Sequence, residues 1–87
     1  MNIADDVAWT SNELRVVAID LSSPGSTPYV LEDSAALIWQ EIAAAGPIRI
    51  DELLQRLSAQ FDIEAARIQA DVETLLTDLL ARRLLTG

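Results

Sequence analysis

The segment Leu14-Arg15-Val16-Val17-Ala18-Ile19-Asp20-Leu21-Ser22-Ser23-Pro24-Gly25-Ser26-Thr27-Pro28-Tyr29-Val30-Leu31 decides the fold. Leu14 to Leu21 carries Val16, Val17 and Ile19, β-branched side chains that fit a pleated, half-buried surface. Ser22 to Ser26 is the strongest turn signal in the chain: Pro24 presets φ, and Gly25 is free to take a positive one. Thr27 to Leu31 then reads as a short strand with Pro28, which has no amide to donate, at its start or on an edge. Upstream, Val7-Ala8-Trp9-Thr10 is another extended run, and the polar Ser11-Asn12-Glu13 turns the chain into Leu14. Three short strands with two close connections predict an antiparallel meander.

Downstream the period changes to that of a helix. Asp33 or Ser34 can cap a helix running to about Ala45, with Ala35, Ile38, Trp39 and Ile42 on one face. Gly46-Pro47 ends it, because Gly fits a left-handed cap and Pro cannot continue the helix. A second helix from about Asp51 to Gln60 turns Leu53, Leu54 and Leu57 inward, with Phe61 closing its end. Asp62 can cap a third, reaching about Arg82, on which Ile68, Val72, Leu75 and Leu79 form a stripe widened by Ala65, Leu76 and Leu80. Arg82-Arg83 then suits the negative end of the helix dipole. Strands over about 7–31 followed by helices over about 33–83 make residues 1–87 a single α+β domain.

Composition excludes more than it suggests. The 87 residues include fourteen acids and six arginines, with no lysine, histidine or cysteine. Imidazole and thiolate metal sites are therefore unavailable, as are Ser–His and Cys–His nucleophile pairs. The glycines, Gly25, Gly46 and Gly87, lie too far apart for a phosphate-binding loop. Neighbouring carboxylates such as Asp5-Asp6 and Asp51-Glu52 read as solvated surface charges. No enzyme, cofactor or metal reading follows. The lack of thiols suits the cytoplasm. The acidic Met1 to Asp6 is not a secretory signal, and no apolar run is long enough to span a bilayer.

A small sheet attached to helices joined by a tight Gly-Pro link is the winged helix-turn-helix arrangement, whose usual partner is DNA. The net charge of −8 opposes that partner, and anionic membranes equally. The charge is uneven. Residues 1–45 hold seven acids against Arg15 alone, and residues 46–87 hold seven acids against five arginines. A DNA-binding regulator is thus the weaker reading, and self-association through an open strand edge is another. An acidic surface with apolar grooves suits a basic or amphipathic peptide.

The run Tyr29-Val30-Leu31-Glu32-Asp33-Ser34-Ala35-Ala36-Leu37-Ile38-Trp39 resembles the Leu-Asn-x-Thr/Ser-Ala-x-x-Ile-Trp pattern of the PqqD-like peptide chaperones, the precursor recognition elements of ribosomally made, modified peptides. Gly46, Glu52-Leu53, Leu57, Phe61, Asp71-Val72, Leu75-Leu76, Leu79 and Leu84-Leu85 follow in the family's order and spacing. Two positions depart from it: Glu32 stands for the usual Asn, and Arg49 for a common helix-capping Thr, which removes a capping box. The resemblance implies that the chain binds the leader of a precursor peptide and delivers it to a processing enzyme. The leader would join the sheet as a fourth strand beside the third, in a cleft with the third helix. It looks most like the freestanding leader-binding component of lasso peptide biosynthesis, partnered by a leader peptidase. A PqqD-type chaperone serving a radical SAM enzyme is the alternative.

On that implication Tyr29, Val30 and Leu31 would line the cleft, with Glu32 at its rim. Two flanks of the third helix compete for the other wall. One carries Leu75 as an apolar floor with Asp71, Asp78 and Arg67 around it; the other carries Leu76, Leu80 and Glu73. Sequence does not choose between them. Each residue also has a plainer role: Leu75 in the core, Tyr29 closing the sheet with its hydroxyl in water, Asp71 and Asp78 as solvated helix charges. Trp39 belongs to the core, and an exposed Trp9 would mark a docking face for the enzyme.

Overall fold

The computed structural model describes residues 1–87. Its elements in chain order are β1 (Asn2–Ile3), β2 (Val7–Asn12), β3 (Arg15–Asp20), β4 (Tyr29–Glu32), α1 (Ser34–Ala45), α2 (Ile50–Phe61), α3 (Ala65–Ala81) and β5 (Leu85–Thr86). The expected meander is present as the antiparallel sheet β2-β3-β4, with Val7 opposite Asp20 and Val17 opposite both Thr10 and Val30. Both β2 and β4 are open edges. Burial alternates along β3: Val16, Ala18 and Asp20 face the helices, and Arg15, Val17 and Ile19 face outward.

The β2–β3 turn falls at Glu13-Leu14, two residues later than the polar run suggested, and β2 continues through Ser11 and Asn12. Polar side chains are tolerated there because all of β2 after Val7 is exposed. α1 begins as predicted, but neither Asp33 nor Ser34 caps it through a side chain. Asp33 instead adopts φ 55°, and its backbone serves both neighbours: its N–H donates to Leu14 and its C=O accepts from Leu37. Gly46 does end α1 with φ 71° and its N–H on Ile42. Asp62 is a correction. It is the left-handed terminus of α2, with φ 53°, and α3 starts only at Ala65. At Arg49 no side-chain cap forms, as the missing Thr implies.

One buried cluster unites the sheet and all three helices, with Trp39, Leu31, Ile42, Leu53, Leu57 and Leu79 at its centre. On α3 the buried residues are Val72, Leu76 and Leu79; Leu75 is half-buried, and Leu80, expected to widen the stripe inward, is 41% exposed. Trp9 is 37% exposed, and its ring meets that of Trp39 edge-to-face at 5.9 Å, so it belongs partly to the core. The pairing of β1 with β5, Asn2 opposite Thr86 and Ile3 opposite Leu85, joins the two ends of the chain. No helix is long and apolar enough to cross a membrane.

Candidate functional site

The open edge of β4 has a definite polarity. Asp33 N–H donates to Leu14 C=O at 2.9 Å, and on the other side of β3 Leu21 N–H donates to Asp6 C=O at 2.8 Å. With the register Val16–Leu31 and Ala18–Tyr29, alternation directs the amides and carbonyls of Tyr29 and Leu31 to β3. Those of Val30 and Glu32 therefore point away from the sheet, where an extended chain could pair with them. Side chains alternate on the other axis. Leu31 is fully buried, Tyr29 lies half-buried on the same inner face, and Val30 and Glu32 are exposed on the outer face.

Across from this edge stands α3. The Tyr29 hydroxyl donates to Asp78 Oδ2 at 2.8 Å, 49 residues away in sequence. This contact decides which flank of α3 faces β4: it is the Leu75, Asp71, Asp78 and Arg67 flank, not that of Leu76, Leu80 and Glu73. Arg82 fastens the pair, its Nε donating to Asp78 Oδ1 and Oδ2 at 3.1 and 3.2 Å, with the guanidinium 4.5 Å above the Tyr29 ring. The phenol hydrogen bond, and then Arg82, hold the Asp78 carboxyl below its ordinary pKa, while the same bond raises that of Tyr29. Leu75 packs half-buried against the core one turn before Asp78. Asp71 and Arg67 lie further along the same flank, exposed, and their side chains form no hydrogen bond or ion pair. The structure thus brings Tyr29 and Asp78 together and leaves Asp71 and Arg67 in solvent.

Beside this clasp lies a cavity of about 380 Å³ lined by Asp20, Ser23, Ser26, Thr27, Tyr29, Arg82 and Arg83, among others. Asp20, only 6% exposed, accepts from Ser22 N–H (2.9 Å), Ser22 Oγ (2.6 Å) and Ser23 Oγ (3.1 Å), and Ser26 Oγ donates to its carbonyl at 2.7 Å. The bonds from Ser22 and Ser23, the Ser22 hydroxyl foremost, lower the pKa of the Asp20 carboxyl. The serine-rich loop before β4 is therefore wound around a carboxylate. Sequence reasoning missed Arg82 and Asp20. The first had a signal, the four-residue spacing from Asp78 to Arg82 on a helix; the second needed the loop's tertiary course. No group of three or more acidic side chains gathers to hold a metal ion.

Comparison with known proteins places this architecture. Residues 16–85 match the family described as coenzyme PQQ synthesis protein D (PqqD). No sequence among the curated proteins matches. Among solved structures, TbiB1 in complex with the TbiA(beta) leader peptide superimposes with a TM-score of 0.83 at 23% identity, over 100% of this chain and 96% of that one. That likeness is one of fold.

Proposed function

This chain belongs to the PqqD family, and on that premise we propose that it binds the leader segment of a ribosomally synthesised precursor peptide and presents it to a processing enzyme. The leader adds to β4 as a fourth strand, in the cleft with α3. Val30 and Glu32 supply backbone partners, the half-buried Leu75 apolar contact, and Tyr29 and Asp78 one closed end, while the expected cleft residue Leu31 is fully buried in the core and is not open to the leader. Asp71 and Arg67 form a polar rim further along. The observation that carries this reading is the outward-facing backbone of Val30 and Glu32 beside an α3 flank that is tied to β4 by the Tyr29–Asp78 hydrogen bond. The solved relative in fold is itself bound to a leader peptide.

The energetics suit a holding step. Edge hydrogen bonds contribute ~0.5–1.5 kcal/mol each after exchange with water and read little sequence. Two or three apolar anchors at ~1.5–3 kcal/mol each supply specificity. After a cost of ~2–5 kcal/mol for ordering the leader, a Kd of roughly micromolar or tighter results. The chain performs no chemistry on the peptide; its carboxylates are clasped or solvated. Lasso peptide biosynthesis, with a leader peptidase as the enzyme, is the favoured setting. The second setting is a PqqD-type chaperone for a radical SAM enzyme, in keeping with a family described by coenzyme PQQ synthesis; it would use the same cleft.

Val30→Pro tests the binding mode. Its N–H faces the open edge, so proline leaves the β3 ladder intact and removes a donor the guest strand needs. The variant is expected to keep the wild-type circular dichroism and lose leader affinity about tenfold or more, while Val30→Ala loses far less. Equal affinity for Val30→Pro and wild type, measured by calorimetric titration with the leader of the co-encoded precursor, would refute strand addition.

A further inference from the structure

The register of β2-β3-β4 sets the outward side chains of the sheet in three rows. Ala8, Ile19 and Pro28 form the first, Thr10, Val17 and Val30 the second, and Asn12, Arg15 and Glu32 the third. No helix covers this face. Its first two rows are apolar apart from the Thr10 hydroxyl, and a shallow depression of about 220 Å³ runs between Ala8, Thr10, Val17, Ile19 and Pro28. Val30 is 42% exposed there. The surroundings are acidic: Asp5 and Asp6 precede β2, Glu13 sits in the β2–β3 turn and Glu32 ends β4, with Arg15 the sole opposing charge of residues 1–45.

We infer that this outer sheet face is the docking surface for the processing enzyme, and that the enzyme reads it together with the bound leader. The inference rests on the leader-binding reading. A strand added to β4 extends each row by one residue, and its side chains alternate like those of any strand. Leader residues that point inward meet Leu75 and the clasp; those that point outward line up beside Val30 and Glu32. The domain therefore holds the leader by one set of side chains and displays the other set on a face continuous with its own apolar patch. An enzyme seated across both would recognise the loaded domain and not the empty one. Its matching surface is an apolar patch bordered by Lys and Arg, the complement of the acidic rim. A second copy of this chain is disfavoured there, since each carries a net charge of −8.

The double variant Val17→Thr/Ile19→Thr keeps β propensity and removes the apolar centre; Ala8→Glu, at an exposed position, places a charge within it. Each is assayed twice: for binding of the fluorescently labelled leader of the co-encoded precursor, and for stimulation of precursor conversion by the co-encoded processing enzyme. Leader Kd is expected to stay within about twofold of wild type while stimulation falls about tenfold, in proportion to losing a central interface anchor. Leader substitutions divide the same way, inward positions changing Kd and outward positions changing only conversion. Wild-type stimulation by these variants overturns the inference while leaving leader binding standing. So does a folded variant that loses leader affinity, or sedimentation showing that the face pairs two copies. A wild-type chain that does not bind the leader overturns the proposed function itself.

Discussion

Tyr29, Asp78 and Arg82 tie β4 to α3 through two hydrogen-bonded partners of one carboxylate, and their protonation fixes when that tie holds. Asp78 has a depressed folded pKa, so its contribution is complete above the unfolded value of 3.8 and disappears as pH falls through the folded one. Tyr29 has a raised folded pKa, so its contribution is complete below 10.0 and disappears as pH climbs through the folded value. Between these limits the clasp is constant. Both groups are partly exposed, and solvent screening keeps the loss on Tyr29→Phe at or below about 1 kcal/mol. The difference in thermal stability between wild type and Tyr29→Phe should be level across neutral pH and shrink below pH 3.8 and above pH 10.0. A difference unchanged at pH 3 would mean that the carboxylate is not its source.

At the scale of an element, α3 carries two neighbouring leucines with different tasks. Leu76 is buried among core side chains, and Leu76→Ala should cost about 2–5 kcal/mol of stability through lost contact and a residual cavity. Leu75 is half-buried on the flank that faces β4, so Leu75→Ala should destabilise less and weaken leader binding about tenfold. Glu73→Gln, on the far flank, should change neither. Chemical denaturation and leader titration on the three variants separate the roles; a Leu75→Ala protein with wild-type leader affinity would move the groove elsewhere. Hydrophobic periodicity made the existence of α3 and its stripe legible in sequence, as it did for the meander and the other helices. It could not select a flank, because Leu75 and Leu76 straddle the buried centre and only the 49-residue reach from Tyr29 to Asp78 breaks the tie. The start of α3 was misplaced for a related reason. Asp62 is a good capping residue in isolation, yet here a left-handed turn at Asp62 ends α2 and leaves α3 to begin three residues later.

Over the whole molecule, charge and end-to-end pairing govern behaviour. The winged-helix arrangement invites DNA, but a net charge of −8 should leave a duplex unshifted in electrophoresis even at low salt. The pairing of β1 with β5 was invisible in sequence because two-residue strands have no period and their partners lie at opposite ends of the chain. Its mechanical effect is clear from what it joins. β1 packs on α1, β5 follows α3 with Leu85 buried, and Ile48 before α2 exchanges hydrogen bonds with Met1, N–H to C=O at 2.9 Å and ammonium to C=O at 2.6 Å. Deleting residues 1–4 removes the half-buried Met1 and Ile3 and uncovers part of Leu85, a loss of about 2–3 kcal/mol by apolar area. In a domain of this size that lowers Tm by roughly 10–20 °C. Because β1 and β5 link α1 to α3, the deletion also frees the α3 wall of the groove to move relative to β4. Leader affinity measured well below the new Tm should therefore fall together with stability. A truncated chain that melts early yet binds the leader as tightly as the full one would show that the sheet edge grips without help from the helix.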